Sequence, residues 1–253
     1  MRRGHGTAYV LGFAAAVCLV CSLAISSLAL GLKPLKDKNV EIDKKKNVLA
    51  AAGLVVNKDE VLSAFESKVV AKVVDLKAGS FIDQQLSDLS DAQLAADVYK
   101  MKGCSKGNNF SCPESNLRPV YLVGQGVDQV MIIPIAGKGL WSTVYGFLAL
   151  EKDYNTVKGI TFYKHGETPG LGGECEKEWF TSQFVGKQIR NASDKLVFGV
   201  AKGKATAPNC KKFGGVEHCV DGMSGATITG DGIQELVRRA TDNYSGFFAA
   251  QKG

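Results

Sequence analysis

The 253-residue sequence lacks most of the signatures that mark an independent catalyst. No Gly-x-Gly-x-x-Gly follows a strand pattern, which argues against a Rossmann domain. No Cys-x-x-Cys-His is present for haem attachment, and no Gly-x-Ser-x-Gly or Ser/His/Asp set stands out for acyl transfer. His165 and His218 have no second ligand at metal spacing, and Cys210, His218 and Cys219 form no tetrahedral signature. There is no internal repeat. Charge is missing too: from Gly4 to Leu32 there is no Asp, Glu, Lys or Arg.

That uncharged run is the first positive signal. Residues 8–32 would extend about 37 Å as a helix, enough to cross a bilayer with some tilt. A cleaved signal peptide is the rival reading, with Ser27-Leu28-Ala29 as a small-x-small site, although an apolar region this long is unusual for one. Cys18 and Cys21 lie inside the run and read as small apolar-environment residues. The formal charge of +6 suggests a nucleic-acid partner until it is located. Of 31 bases and 25 acids, Arg2, Arg3 and the six lysines of 33–46 take eight bases, and Asp37, Glu41 and Asp43 take three acids. The remaining 23 bases and 22 acids leave residues 47–253 at about +1. The excess flanks the apolar run and forms no stripe on a domain, so no nucleic acid is expected.

At this length, with 45% hydrophobic and 22% charged residues, the chain holds an ordinary globular core. We divide it into a tail (1–7), a transmembrane helix (8–32), a charged connector (33–58) and a folded domain (59–253). The connector includes a short helix through Val48–Ala52 that ends near Gly53. Helical spacing recurs at Asp59–Lys68, Leu86–Met101, Glu174–Phe184 and Gly232–Phe248, the last with Thr229 or Asp231 as candidate caps. Val69–Leu76, Pro119–Val123, Gln129–Ile135, Ser142–Leu150 and Val157–Lys164 read as strands. Short connections such as 124–128 favour antiparallel pairing. The fold class is therefore α+β, an antiparallel sheet with flanking helices. Trp141 opens a strand and stacks either beside a ligand or, as most tryptophans do, in the core.

Two loops concentrate small residues. Asp221-Gly222-Met223-Ser224-Gly225-Ala226-Thr227 leaves little side-chain bulk, and Ser224 and Thr227 are its two hydroxyls. The plain reading is an Asp-Gly turn before a helix. His165-Gly166-Glu167-Thr168-Pro169-Gly170-Leu171-Gly172-Gly173 carries four glycines and a proline, an ordinary irregular turn or a backbone cradle for a ring edge or phosphate.

Asp-x-x-Ser-Gly-Ala-Thr resembles the flavinylation motif of the C-subunit family of the sodium-translocating NADH:quinone oxidoreductase and its relatives in the Rnf complex. Gly-Glu-Thr-Pro-Gly-Leu-Gly resembles the flavin-facing loop of the same family's FMN-binding domain. Anchor and both loops occur in the family's order and spacing. The resemblance implies FMN held covalently by a phosphoester to Thr227, placed there by a flavin transferase. Asp221, Ser224, Gly225, Ala226, Glu167, Thr168, Pro169, Gly170, Leu171, Gly172 and Trp141 are then expected around it. It further implies a one-electron carrier with no acid–base residue of its own, within a membrane complex whose other subunits hold the NADH and quinone sites while sodium ions move. The equivalent Rnf G subunit is the neighbouring alternative, and an anchored non-redox binding or sensor module is the alternative from another class.

The family places its flavin domain on the periplasmic side of the bacterial inner membrane. Positive-inside counting disagrees, with six lysines after the span and two arginines before it. The rule weakens before a long domain, so the periplasmic side is expected. On an oxidising face, Cys104–Cys112 and Cys210–Cys219 are candidate local disulfides by proximity in sequence, which leaves Cys175 free.

Overall fold

A computed structural model describes residues 6–97, 100–101 and 116–252. Residues 1–43 and 44–253 form separate units.

Helix α1 (Thr7–Ala51), most of which belongs to the first unit, is long and apolar enough at its start to cross a membrane. Large apolar side chains of that start, Leu11, Phe13, Leu23 and Ile25 among them, are exposed. The charged stretch expected as a connector is helical as far as Ala51. Its lysines, acids, leucines and alanines are good helix formers, and net charge does not prevent a helix.

The second unit is built on a six-stranded sheet. Its strands are β1 (Val69–Asp75), β2 (Ser80–Ile82), β3 (Leu117–Val123), β4 (Val130–Lys138), β5 (Thr143–Leu150) and β6 (Val157–Lys164). They lie in the order β2-β1-β3-β4-β5-β6, every neighbour antiparallel. The sheet is covered on both faces, which is why β4 reads as a continuous apolar run and not as an alternation. One face carries Met131, Ile133, Ile135, Leu148 and Leu150. It packs against Ile233, Leu236 and Val237 of helix α6 (Thr227–Asn243) and against Phe247 of helix α7 (Ser245–Lys252). On the other face, Thr161 donates to the Asn47 carbonyl at 3.1 Å, and Phe65 of helix α2 (Val61–Lys68) meets Tyr121 edge-on.

β4 pairs with β5 over eight residues but with β3 over only three, Tyr121–Val123 against Ile132–Val130. Pro134, which donates no ladder hydrogen bond, lies past the end of that short ladder. The buried Tyr244 hydroxyl donates to the Pro119 carbonyl at 3.0 Å beyond the same end.

Three expected helices are revised. In place of Leu86–Met101 there is a short turn at 86–88 and then helix α3 (Asp91–Leu94). Ser90 and Gln93 form a capping box that restarts the chain there, and Ala96 has φ +52°. In place of Glu174–Phe184, Lys177 is extended between a turn at 172–176 and helix α4 (Glu178–Thr181), after which Phe180 and Phe184, four residues apart, are both buried in the core. The last helix begins at Thr227, five residues earlier than expected, and a break at Tyr244 separates α6 from α7. A two-stranded parallel pair, β7 (Gly199–Val200) with β8 (Cys219–Val220), was not anticipated. Next to it, helix α5 (Ala207–Cys210) ends at the Cys210–Cys219 disulfide expected from sequence. Cys175 is free, as expected, and is buried, while the Cys104–Cys112 pairing lies outside the described residues.

Candidate functional site

Three loops converge at one end of β4–β6: 139–142 between β4 and β5, 165–173 after β6, and 221–226 before α6. The Glu167 carboxylate, 5% exposed, ties the first two loops to the start of α6. It accepts hydrogen bonds from the backbone N–H groups of Leu140 (3.1 Å), Trp141 (3.0 Å) and Ser142 (3.1 Å), and from the Thr229 hydroxyl at 2.6 Å. Burial pushes the carboxyl's pKa up. The bonds from Thr229, Trp141, Ser142 and Leu140 outweigh that and hold it below the ordinary value, so Glu167 is an anion at neutral pH. Ser142 adds a tie, accepting from the Gly166 N–H at 2.6 Å.

Close packing brings the loops together. A Cβ on Gly172 would meet the Thr229 hydroxyl oxygen at 2.5 Å, and one on Gly225 would meet Leu171 at 2.9 Å. Loops 165–173 and 221–226 are therefore in contact. Trp141 is 72% exposed, so its expected core fate is not realised. Leu171 and Ile228 are also exposed, as are Thr168, Pro169 and Gly170.

Asp221 is fixed by a 2.7 Å ion pair with Lys204 and by the Ala205 N–H at 2.6 Å, while its own N–H donates to the Gln183 side chain. Burial pushes its pKa up, and the Lys204 and Ala205 hydrogen bonds bring it below the ordinary value. The chain then turns at Met223–Ala226, with the Ala226 N–H donating to the Met223 carbonyl and Gly225 at φ +69°. That φ at the third position of a turn is what glycine supplies without strain.

Thr227, the first residue of α6, is exposed. Ala226 at the cap position supplies no side-chain hydrogen bond, so the expected capping by Thr229 or Asp231 is not found. Thr229 instead lies in the first turn and points inward to Glu167. First-turn N–H groups have no partner within a helix, and here no side chain caps them, which leaves a small electropositive site beside the Thr227 hydroxyl. The arrangement suits a phosphate at Thr227 with an apolar ring near Leu171 and Trp141.

Other reactive groups are accounted for. Burial and the neighbouring Glu176 and Glu167 charges push the Cys175 thiol up to about 12, so it stays protonated. His165 accepts from the Glu167 N–H at Nδ1 and places Nε2 3.3 Å from Glu176. No cluster of metal-ligating side chains occurs among the described residues.

Thr229 and Lys204 were not singled out as site residues from sequence. A threonine two positions after Thr227, on the buried side of a first helical turn, was the available signal. Lys204 carries none, because its partner is 17 residues away.

A family model described as an FMN-binding domain matches residues 139–242, the segment that carries all three loops. Among curated proteins, the C subunit of the Na(+)-translocating NADH-quinone reductase of Pseudomonas aeruginosa is 38% identical, with 98% of this chain and 97% of the relative covered. That of Vibrio parahaemolyticus is 38% identical over 88% of this chain and 86% of its own length. Among solved structures, Shewanella oneidensis NqrC superposes with a TM-score of 0.66 at 28% identity, covering 82% of this chain and 95% of that one. The Parabacteroides distasonis counterpart gives 0.68 at 23% identity, covering 86% and 96%, a likeness of fold.

Proposed function

The chain belongs to the C-subunit family of the Na(+)-translocating NADH-quinone reductase, and we propose that it is the FMN-carrying electron-transfer subunit of such a complex. The NADH and quinone sites lie on other subunits. The two carboxylates of the loop cluster are committed to structure: Glu167 is fully engaged and Asp221 is paired. When bound, the flavin supplies the redox chemistry.

Thr227 holds the flavin covalently. The observation that carries this is an exposed hydroxyl on the first residue of a 17-residue helix whose N-terminus has no side-chain cap. Attachment forms one bond from the Thr227 oxygen to the FMN phosphorus and breaks one P–O bond of an activated flavin nucleotide donor. The hydroxyl proton and the rest of the donor leave, with a flavin transferase presenting the donor. First-turn N–H groups then face the phosphate, favourable by about 0.3–1 kcal/mol for a surface anion. Leu171, Thr168, Gly170, Gly172 and Trp141 border the ring, while Asp221, Ser224, Gly225 and Ala226 shape the turn that presents Thr227.

Residues 8–32 cross the bacterial inner membrane, residues 33–58 connect, and the FMN domain of 59–253 lies on the periplasmic side. The exposed apolar start of α1 supports the crossing. The Cys210–Cys219 disulfide supports an oxidising side, against the lysine count.

The test is co-expression of the full chain with a flavin transferase, followed by intact mass and peptide mapping. Thr227→Ala loses the covalent flavin and keeps the fold, whereas Thr227→Ser retains both. A flavin-bearing peptide mapped to Ser224 or Thr229 overturns the assignment.

A further inference from the structure

We infer that Thr229 and Glu167 act as one buried positioning unit that sets the shape of the flavin seat, a role separate from the attachment chemistry of Thr227. The role in the seat rests on the flavin reading above; the mechanical linkage rests on the geometry alone. Thr229 is 1% exposed and Glu167 5%, so neither is placed to contact a bound ring. Both Glu167 oxygens are occupied: Oε1 accepts from Trp141 and Ser142, and Oε2 from Leu140 and the Thr229 hydroxyl. Three of the four donors belong to the loop that carries Trp141, and the fourth belongs to the first turn of the helix that carries Thr227. The acceptor itself belongs to the loop that carries Leu171. Each element bordering the seat thus contributes to one carboxylate.

The absence of slack supports the same conclusion. A Cβ on Gly139 would meet Glu167 Oε1 at 2.6 Å, and one on Gly172 would meet Thr229 Oγ1 at 2.5 Å and Glu167 Oε2 at 2.9 Å. The carboxylate is held between two glycines and cannot swing to a second position without moving a loop. Thr229 lies two residues after Thr227 in the same helical turn, so a shift of the Glu167 loop reaches the attachment residue through a single hydrogen bond. Hydrogen bonds to ions are the strong ones, and leaving a buried carboxylate short of one is costly.

The experiment has two arms on the full chain. In flavin-free protein, made without a transferase, backbone amide exchange is read at Leu140, Trp141 and Ser142. These amides exchange about tenfold faster in Thr229→Val, on the scale of losing one hydrogen bond to a charged group. Thr229→Ser restores the wild-type rate. In protein co-expressed with a transferase, Thr229→Val retains the flavin mass on Thr227 but changes the visible circular dichroism of the flavin, and Thr229→Ser does not. Wild-type exchange at the three amides in a folded Thr229→Val overturns the inference, and so does an unchanged flavin signal in the loaded variant. Should Thr229→Val fail to fold, Glu167→Gln is measured in its place, with the same acceleration expected and its absence equally decisive. If the wild-type chain takes up no flavin, the attachment reading fails, and the amide arm still decides the linkage.

Discussion

Gly230 and Gly232 lie two residues apart in α6, and alanine should have opposite consequences at the two positions. In an exposed helix interior, Gly→Ala stabilises by about 1 kcal/mol, because glycine loses more backbone entropy on folding. The surroundings decide otherwise here. A Cβ on Gly232 would fall well inside contact distance of the Lys138 carbonyl oxygen and 3.4 Å from the Gly139 Cα, which is backbone that no rotamer change can move aside. On Gly230 the nearest atom is a Val200 side-chain methyl at 3.3 Å, which can give by a few tenths of an ångström. Overpacking a filled site costs about 1–3 kcal/mol, and the propensity gain is common to both variants. We therefore expect Gly232→Ala to be less stable than Gly230→Ala by about 1–3 kcal/mol, with Gly230→Ala near wild type. The measurement is urea denaturation of the full chain in mild detergent, followed by near-ultraviolet circular dichroism. Comparing the two variants cancels the contribution of the unfolded state. Equal midpoints, or a Gly232→Ala more stable than wild type, would refute the claim that α6 rests directly on the end of β4.

Replacing Cys210 and Cys219 together by serine should destabilise the domain by roughly 2–3 kcal/mol, the closure entropy of a ten-residue loop, and reductant should lower the wild-type melting temperature similarly. Identical melting in oxidised and reduced protein would count against it. Acid should loosen the loop cluster: Glu167 and Asp221 both have lowered pKa values, so their contribution is complete above the ordinary carboxylate value of about 4 and is lost as pH falls through the lowered values. Trp141 fluorescence should report this, and an unchanged acid profile in Glu167→Gln would remove Glu167 as a cause. A reporter fused after Gly253 should be active only outside the cytoplasm, and the domain should be cut by protease added to spheroplasts. A protected domain with a cytoplasm-active reporter would favour the lysine count.

The strands were the most legible part of the fold. Four expected strands coincide with β3 to β6 within three residues at each end, because Val-, Ile- and Tyr-rich runs between glycine turns leave few alternatives. Pro134 did not disguise β4, since the short β3 ladder leaves its position unpaired on the β3 side while it pairs with Phe147 of β5. Helices were less legible where long-range packing broke them. The 3.6-residue spacing through 174–184 is real where it brings Phe180 and Phe184 to one core, but Lys177 before them is extended and breaks the helix. The start of α6 was missed because Thr-Ile-Thr-Gly-Asp-Gly has poor helix propensity and no side-chain cap, and its geometry is fixed from outside by β4 and Glu167. At the site, the two glycine loops were visible in sequence, but the bond from the first turn of α6 to Glu167 was not. A hydroxyl–carboxylate contact across 62 residues has no local signature.

The short β3–β4 ladder has a consequence for how the domain breathes. Three residue pairs join the β2-β1-β3 half of the sheet to the β4-β5-β6 half, against eight within β4–β5. Cooperative opening follows such seams, so the two halves should exchange their amides at different free energies, with the seam as the boundary. Two of the converging loops start from the second half, and the third leads from β8 into the helix packed on it. The halves still share one core and the Tyr244–Pro119 hydrogen bond, so the seam is thin in its backbone ladder and not in its packing. The proposed flavin seat thus borders the half with the longer ladders, and its amides should be the slower to exchange.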